Sequence, residues 1–305
     1  MEPEGMKCGV GRRRPRLGHI RYLNCLPLYY GLVRQEVLLD VELTRGTPTE
    51  LSRLLRNGLL DLAPIPSIEY ARYHRELVLL PGLAVSSDGE VRSIVLVSRV
   101  PVHELHGEAV ALCTSSATSQ ALARIVLEER YGTRPVYHQS APDLAAMLRE
   151  ARAALLIGDE GLGAYYRRDP SLYLYDLGKE WKELTGHKMV YAVWAVRREY
   201  ARTEPKLTLE VYEGLHRSME YGRLNLGAIV REAARWETFD AAFLADYLAG
   251  LRFNFDRAYQ EGLLEFYTRA ARLGLLPEVP RLEFLEVTGS RGEEAVAGRR
   301  DRGCH

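Results

Sequence analysis

The chain has 305 residues, of which 47% are hydrophobic, and its 41 Lys and Arg balance 41 Asp and Glu. A chain of this length holds about two domains, because single cores stop growing near ~250 residues. Zero net charge gives no general attraction to nucleic acid or to a membrane surface, so any anion must be held by local donors.

The four cysteines, Cys8, Cys25, Cys113 and Cys304, form no CxxC pair and no Cys/His cluster at zinc spacing. That pattern fits a reducing compartment and implies neither disulfides nor a bound metal. The run Arg12-Arg13-Arg14 imitates the start of a signal peptide. Pro15, Arg16, His19 and Arg21 interrupt the apolar stretch of ~7–15 residues that should follow. No run reaches the ~18 apolar residues of a membrane span, and the expected location is the cytoplasm.

In chain order, residues 1–16 lack apolar periodicity and read as a flexible tail. A strand is expected at 17–23, a helix opening at Pro27 and a strand at 38–44. Thr47-Pro48-Thr49-Glu50 is a capping box with Pro at the first helical position, and Gly58 stands where that helix should end. A strand at 61–65 leads into a helix opened by Pro66-Ser67 and running to Tyr73. Ser86-Ser87-Asp88-Gly89 reads as a hairpin turn before a strand at 91–98. A second α/β unit begins with a strand at 108–113 and a helix at 116–131. Ser140-Ala141-Pro142-Asp143 caps another helix, and a strand at 154–157 ends in Gly158-Asp159. After a long strand at 188–196 the pattern becomes helical, at 207–221, 226–236, 239–251 and 256–273, and 287–305 reads as a second flexible tail.

This order predicts a two-lobed α/β fold with a two-strand hinge and a helical C-terminal portion. Lobe 1 is expected from 17–99 and 195–286, and lobe 2 from 100–194. Ligands of open α/β sheets sit beyond the carboxyl ends of strands, which selects the loops 22–27, 64–67, 113–119 and 157–160.

In Cys113-Thr114-Ser115-Ser116-Ala117-Thr118-Ser119, hydroxyls crowd the start of a helix. The unpaired N–H groups and positive dipole end there make an anion cradle, although one Ser or Thr suffices as a plain cap. Asn24, between a strand and a Pro-started helix, either caps that helix or donates to a ligand. Ser93 lies in an alternating strand near the hinge, and Gly158-Asp159 is either a ligand loop or a cap. GxSxG, HExxH, GxxxxGK[ST] and the dinucleotide glycine fingerprint are all absent, and the eight histidines are scattered. No nucleophile–base pair emerges from spacing.

Taken in order, Ile20-Arg21-Tyr22-Leu23-Asn24-x-x-Pro27, Gly46-Thr47-Pro48-x-Glu50-Leu51 and Asp61-x-Ala63-x-Ile65-Pro66-Ser67-x-Glu69-Tyr70 are followed by Leu79-Leu80-Pro81-Gly82 and Val91-Arg92-Ser93-Ile94-x-Leu96-x-Ser98. Then come Ser116-x-Thr118-Ser119, Leu156-Ile157-Gly158-Asp159, Asp176-Leu177-Gly178-x-x-Trp181-x-x-x-Thr185-Gly186 and Val190-Tyr191-Ala192-Val193-Trp194. The series resembles the menaquinone-biosynthesis chorismate dehydratases of the futalosine route, from about residue 17 to 285.

The resemblance implies a type II periplasmic-binding-protein fold and loss of water from chorismate to give 3-[(1-carboxyvinyl)oxy]benzoate, without a cofactor. On this reading, catalytic roles are expected for Asn24 and Ser93. Substrate contacts are expected for Tyr22, Ser67, Ser115, Ser116, Thr118, Ser119, Gly158, Asp159 and Thr185. The expected partner is a small dicarboxylate, with no nucleic acid or membrane; the sequence sets no oligomeric state. The sister enzyme that makes 1,4-dihydroxy-6-naphthoate begins with Ser-Pro-Cys-Pro-Asn-Asp-Thr, unlike the Tyr22-Leu23-Asn24-Cys25-Leu26-Pro27 found here. One departure is Thr185-Gly186-His187-Lys188, where the family continues with apolar residues after Thr-Gly. A transporter's solute-binding protein would use the same cleft without turnover, and a ligand-sensing regulator would need an added DNA-binding domain.

Overall fold

Two runs of alternating strand and helix close into two separate five-stranded sheets, as the periodicity predicts. The computed structural model describes residues 13–34 and 36–287. The expected tails lie outside these residues except for 13–16 and 287, and Arg16 already belongs to the first strand.

The elements of the first run are β1 (Arg16–Ile20), α1 (Leu26–Val33), β2 (Glu42–Gly46), α2 (Pro48–Arg56), β3 (Leu62–Pro66), α3 (Ser67–Tyr73) and β4 (Leu77–Ser87). The second run holds β5 (Ile94–Ser98), β6 (Ala109–Cys113), α4 (Ala117–Ile125), β7 (Val136–Ser140), α5 (Leu144–Glu150), β8 (Ala153–Ile157), α6 (Gly158–Arg167), β9 (Tyr173–Asp176) and α7 (Leu177–Thr185). The chain returns through β10 (Met189–Arg197). It finishes with α8 (Arg198–Thr203), α9 (Pro205–Leu224), α10 (Leu226–Ala233), α11 (Ala241–Gly250) and α12 (Arg257–Arg272).

Local chemistry accounts for many of these boundaries. The capping box at α2 is complete: the Glu50 N–H donates to the Thr47 hydroxyl at 3.3 Å, and the Thr47 N–H donates to the Glu50 carboxylate at 2.8 Å. Asp143, Asp176, Asp240 and Asp256 each accept from the first turn of α5, α7, α11 and α12.

The strand orders are β2-β1-β3-β10-β4 and β7-β6-β8-β5-β9. In each, three strands run parallel, and a fourth is inserted antiparallel to its neighbours. That inserted strand is the one that follows a crossing from the other lobe. The expected lobe boundaries therefore need correction. Residues 94–98 pair with β8 and β9 and belong to lobe 2, while 189–194 pair with β3 and β4 and belong to lobe 1. A buried apolar strand reads the same in either sheet, because only long-range pairing selects its partners. Ser86-Ser87-Asp88-Gly89 is likewise no hairpin turn, since β4 and β5 lie in different sheets.

The two crossings leave the first sheet side by side, where Ser87 pairs with Met189. Asp176 ties the outgoing crossing to the start of α7. Its carboxylate accepts N–H bonds from Val91 (3.1 Å) and Arg92 (2.5 Å) on one crossing, and from Gly178 (2.9 Å) and Lys179 (3.0 Å) at the start of α7. Burial pushes this carboxyl up to about 6, and the N–H bonds pull the other way. Arg92 holds a left-handed backbone, φ 62°, while its guanidinium pairs with Glu90 and Asp246.

The C-terminal helices touch both lobes. Phe243 of α11 packs on Tyr166 of α6 with ring centres 4.7 Å apart, and Arg269 and Arg272 of α12 pair with Glu129 beyond α4. Among the described residues, no helix is long and apolar enough to cross a membrane. Helix α9 lies so close to the start of α1 that a Cβ on Gly222 would stand 1.9 Å from the Pro27 carbonyl oxygen.

Gly222→Ala should therefore force α1 and α9 apart and cost about 1–3 kcal/mol, the usual penalty of overpacking. Gly250→Ala, whose Cβ meets nothing within 4 Å, should be neutral or slightly stabilising. Urea denaturation of both variants checks the contrast.

Candidate functional site

β1 ends at Ile20, and the chain turns through a tight 3₁₀ turn, Leu23–Cys25, before α1 begins. The Cys25 N–H donates to the Tyr22 carbonyl at 3.0 Å, which leaves the intervening Asn24 side chain free to point elsewhere. Asn24 caps neither this turn nor α1. Its Oδ1 is buried without a hydrogen-bond partner. An acceptor left in that state costs about 1–3 kcal/mol and needs a reason. A donor on a bound ligand supplies one.

Facing this turn from lobe 2 is the start of α4. Ser116 is its cap, accepting from the Ser119 N–H at 3.4 Å, and the Ser119 hydroxyl lies 3.2 Å from that of Ser116. Ser115, Ser116, Thr118 and Ser119 are all buried. Two of the expected contacts are made between lobes. The Thr118 hydroxyl accepts from the Ile68 N–H at 3.1 Å and sits 3.3 Å from the Ser67 hydroxyl, which donates to the Val190 carbonyl at 2.8 Å. Tyr22 hydrogen-bonds with Ser115, and the Thr49 N–H donates to the Ser115 carbonyl at 3.3 Å. The cleft is thus closed in this structure.

At the other edge, the Leu23 N–H donates to the Asp159 carboxylate at 2.9 Å. Tyr22 lies flat against Gly158: a Cβ there would be 2.8 Å from the ring, and φ is +62°, so only glycine fits on both counts. Burial pushes the Asp159 carboxyl up to about 6; the Leu23 N–H opposes this, Glu237 and Glu160 add to it, and Arg21 opposes it.

Ser93 sits fully buried on the crossing, not in a strand as expected. Its hydroxyl is 3.4 Å from the Val91 carbonyl and bonds to the phenol of Tyr247 from α11. Thr185 is not brought into this cluster. Helix α7 carries it to the end remote from Asp176, where its hydroxyl donates to the Trp181 carbonyl (2.9 Å) and accepts from the His187 N–H (3.1 Å). Sequence reading missed Tyr247, which looks like one more apolar position of a C-terminal helix. It also missed Tyr191, whose hydroxyl is 2.8 Å from that of Ser87 at the hinge.

Three titratable groups near the cleft, Cys25, Cys113 and His19, are held neutral at pH 7. Burial raises the Cys25 thiol and pushes Cys113 up to about 12, so neither is a nucleophile at neutral pH. Burial, helped by Arg45, pushes His19 down to about 4. His19, Arg45, Tyr22, Leu23 and Asp159 line a cavity of about 300 Å³ beside the cleft mouth. Among the described residues, no three His, Cys, Asp or Glu side chains gather as metal ligands. Such a site suits orientation and hydrogen bonding of an anionic ligand rather than attack by a side chain.

Comparisons with known proteins bear on the fold and the family. A solved structure from Archaeoglobus fulgidus shares the fold with a TM-score of 0.72 and 18% identity, covering 86% of this chain and 98% of its own. The periplasmic aliphatic sulphonate binding protein of Escherichia coli does so with a TM-score of 0.62 and 16% identity, covering 95% and 99%. In sequence, the chain is 31% identical to a chorismate dehydratase of Thermus thermophilus over 273 residues, 85% of this chain and 95% of the relative. The family model described as menaquinone biosynthesis matches residues 15–272. The fold is that of periplasmic binding proteins, and the chain belongs to the menaquinone biosynthesis family.

Proposed function

We propose that this chain is a chorismate dehydratase, a cytoplasmic hydro-lyase that converts chorismate to 3-[(1-carboxyvinyl)oxy]benzoate on the futalosine route to menaquinone. The observation that carries the proposal is the buried, unpartnered Asn24 Oδ1 on a turn whose Tyr22 hydrogen-bonds to Ser115 at the hydroxyl-lined start of α4. The similarity to a dehydratase of that name over most of the chain supports it.

In the reaction the C–H bond at the ether-bearing ring carbon breaks, and its electron pair forms the new ring double bond. The adjacent C–O bond breaks, hydroxide departs with that bond's electron pair, and one proton completes the water. Aromaticity supplies the driving force, so the site needs to orient the substrate and exclude competing rearrangements.

The start of α4 holds one substrate carboxylate with its N–H groups, Ser116 and Ser119. Asn24 Oδ1 accepts from the ring hydroxyl and fixes its direction, and Ser93 donates to it as it leaves. The enolpyruvyl carboxylate takes the ring proton, since the nearby carboxylate, Asp159, is engaged by the Leu23 N–H. A carboxylate of pKa near ~4 is a weak base in water and a stronger one once lobe closure strips its solvent.

Mixing the purified protein with chorismate should abolish the diene absorption and produce a benzoate spectrum. An unchanged spectrum with ligand bound would mark a binding protein instead. Asn24→Asp keeps the shape but sets a charge against a dianion. Turnover should fall by at least ~10²–10³, the loss typical of removing one aligned group. Near-normal dehydration by the folded variant would exclude the role given to Asn24. Ser116→Asp retains a good cap yet repels the carboxylate at α4, so affinity should drop strongly while the melting temperature stays close to wild type. Calorimetric titration and a thermal melt read the two effects separately.

A further inference from the structure

We infer that Asp159 is a positioning residue: its carboxylate clamps the turn that carries Asn24 against lobe 2, and it does not itself bind substrate. This rests on the dehydratase reading above and assigns Asp159 a different part from the substrate contact expected from the sequence.

The geometry is a docking of two short segments. On lobe 1, Tyr22 and Leu23 directly precede Asn24. On lobe 2, Gly158 and Asp159 open α6. The Tyr22 ring covers Gly158, and the next residue on each side makes the 2.9 Å bond from the Leu23 N–H to Asp159. The donor is the amide immediately before Asn24, so the bond fixes the direction of that turn. A carboxylate turned toward this amide is also turned away from the dianionic substrate, which it would repel. Its place in the first turn of α6 suits its charge.

The bond is charge-assisted, and such bonds are about twice as strong as neutral ones. The Leu23 N–H favours the charged form, but burial outweighs it and pushes the carboxyl up to about 6, so the docked state takes up a proton more readily than the open one and the clamp, still accepting through a carboxyl oxygen, holds as pH falls through that value. Facing it are Arg21, Tyr22 and Cys25 from the first loop, Glu160 from its own helix, Glu237 beyond α10 and Tyr247 of α11. His19 and Arg45 flank the adjoining cavity with Glu232. Burial raises Tyr22, Cys25 and Tyr247, so they stay protonated, and His19, held near 4, stays neutral through this range. Asp176 also titrates at about 6, but it is present in every variant below, so differences between their profiles report Asp159.

The test compares wild type, Asp159→Asn and Asp159→Ala for chorismate turnover between pH 5 and 8. Small-angle scattering of the free proteins is recorded alongside, with melting temperatures as a check on folding. The amide oxygen of Asn can still accept from Leu23, without a titration. Asp159→Ala should lower kcat/KM about tenfold or more at pH 7.5 and enlarge the radius of gyration. Asp159→Asn should recover most of the activity and the compact radius, and should lack the loosening that wild type shows as Asp159 becomes charged above about pH 6. If Asn is as impaired as Ala at every pH and all three radii agree, the carboxylate touches substrate and the inference fails. An Ala variant indistinguishable from wild type overturns it too. If wild type does not dehydrate chorismate, the dehydratase reading falls and takes the role in aiming Asn24 with it. An expanded Ala variant beside a compact Asn variant would then still identify the clamp between lobes.

Discussion

A buried carboxylate that receives four backbone N–H groups from two separate stretches of chain sets the frame on which this molecule depends. Asp176 joins the outgoing crossing at Val91 and Arg92 to the start of α7, from which the chain returns. It thereby fixes where one lobe begins relative to the other. Ser93 follows the clamped amides directly and is fastened from the far side by Tyr247, while Asp246 pairs with Arg92. Removing the acceptor would leave four backbone donors without this partner, those of Val91 and Gly178 buried, and an Arg in a left-handed backbone with less to hold it there. The two lobes approach each other about this point, so the accuracy of the cleft is inherited from it.

Closure divides the hydroxyl cluster into two classes. Ser67 and Thr118 are tied to each other and to backbone groups across the lobes, so they report that the cleft has shut. Ser116 and Ser119 bond mainly to each other at the helix start, and those weak contacts of 3.2–3.4 Å yield readily to a carboxylate. On the function proposed above, neutral hydroxyls, one amide and a helix end would hold an anion without neutralising it and leave the substrate's own charge available for chemistry.

Short-range chemistry was legible in the sequence. The Thr47–Glu50 box, the helix from Ser67 to Tyr73 and the position of Asn24 at a strand end all follow from a few neighbouring residues. Sheet membership was not: 94–98 and 189–194 were placed in the wrong lobes, because an apolar strand does not encode which edges will pair with it. The motif at Thr185 resembles that of the family, and which group its hydroxyl meets was not legible: it closes its own helix. The sequence leaves Asn24 between cap and ligand contact, and the side chain's capping neither the turn nor α1 removes the cap reading. Tyr247 could not have been found, since nothing in a helix pattern tells which buried phenol meets Ser93.

The insertion of each lobe's antiparallel strand from beyond a crossing also governs how the chain emerges during synthesis. β4 pairs with the first sheet only through β10. On the order of a hundred residues separate the two, a delay of roughly 5–20 s at ordinary translation rates. Throughout that interval the growing chain exposes an unpaired edge of β3 and a buried-type strand, β4, with no sheet to join, and both invite association with other chains. The second lobe, whose inserted strand β5 comes first rather than last, has no such wait. It is the half that can complete its own sheet while the N-terminal one is still open.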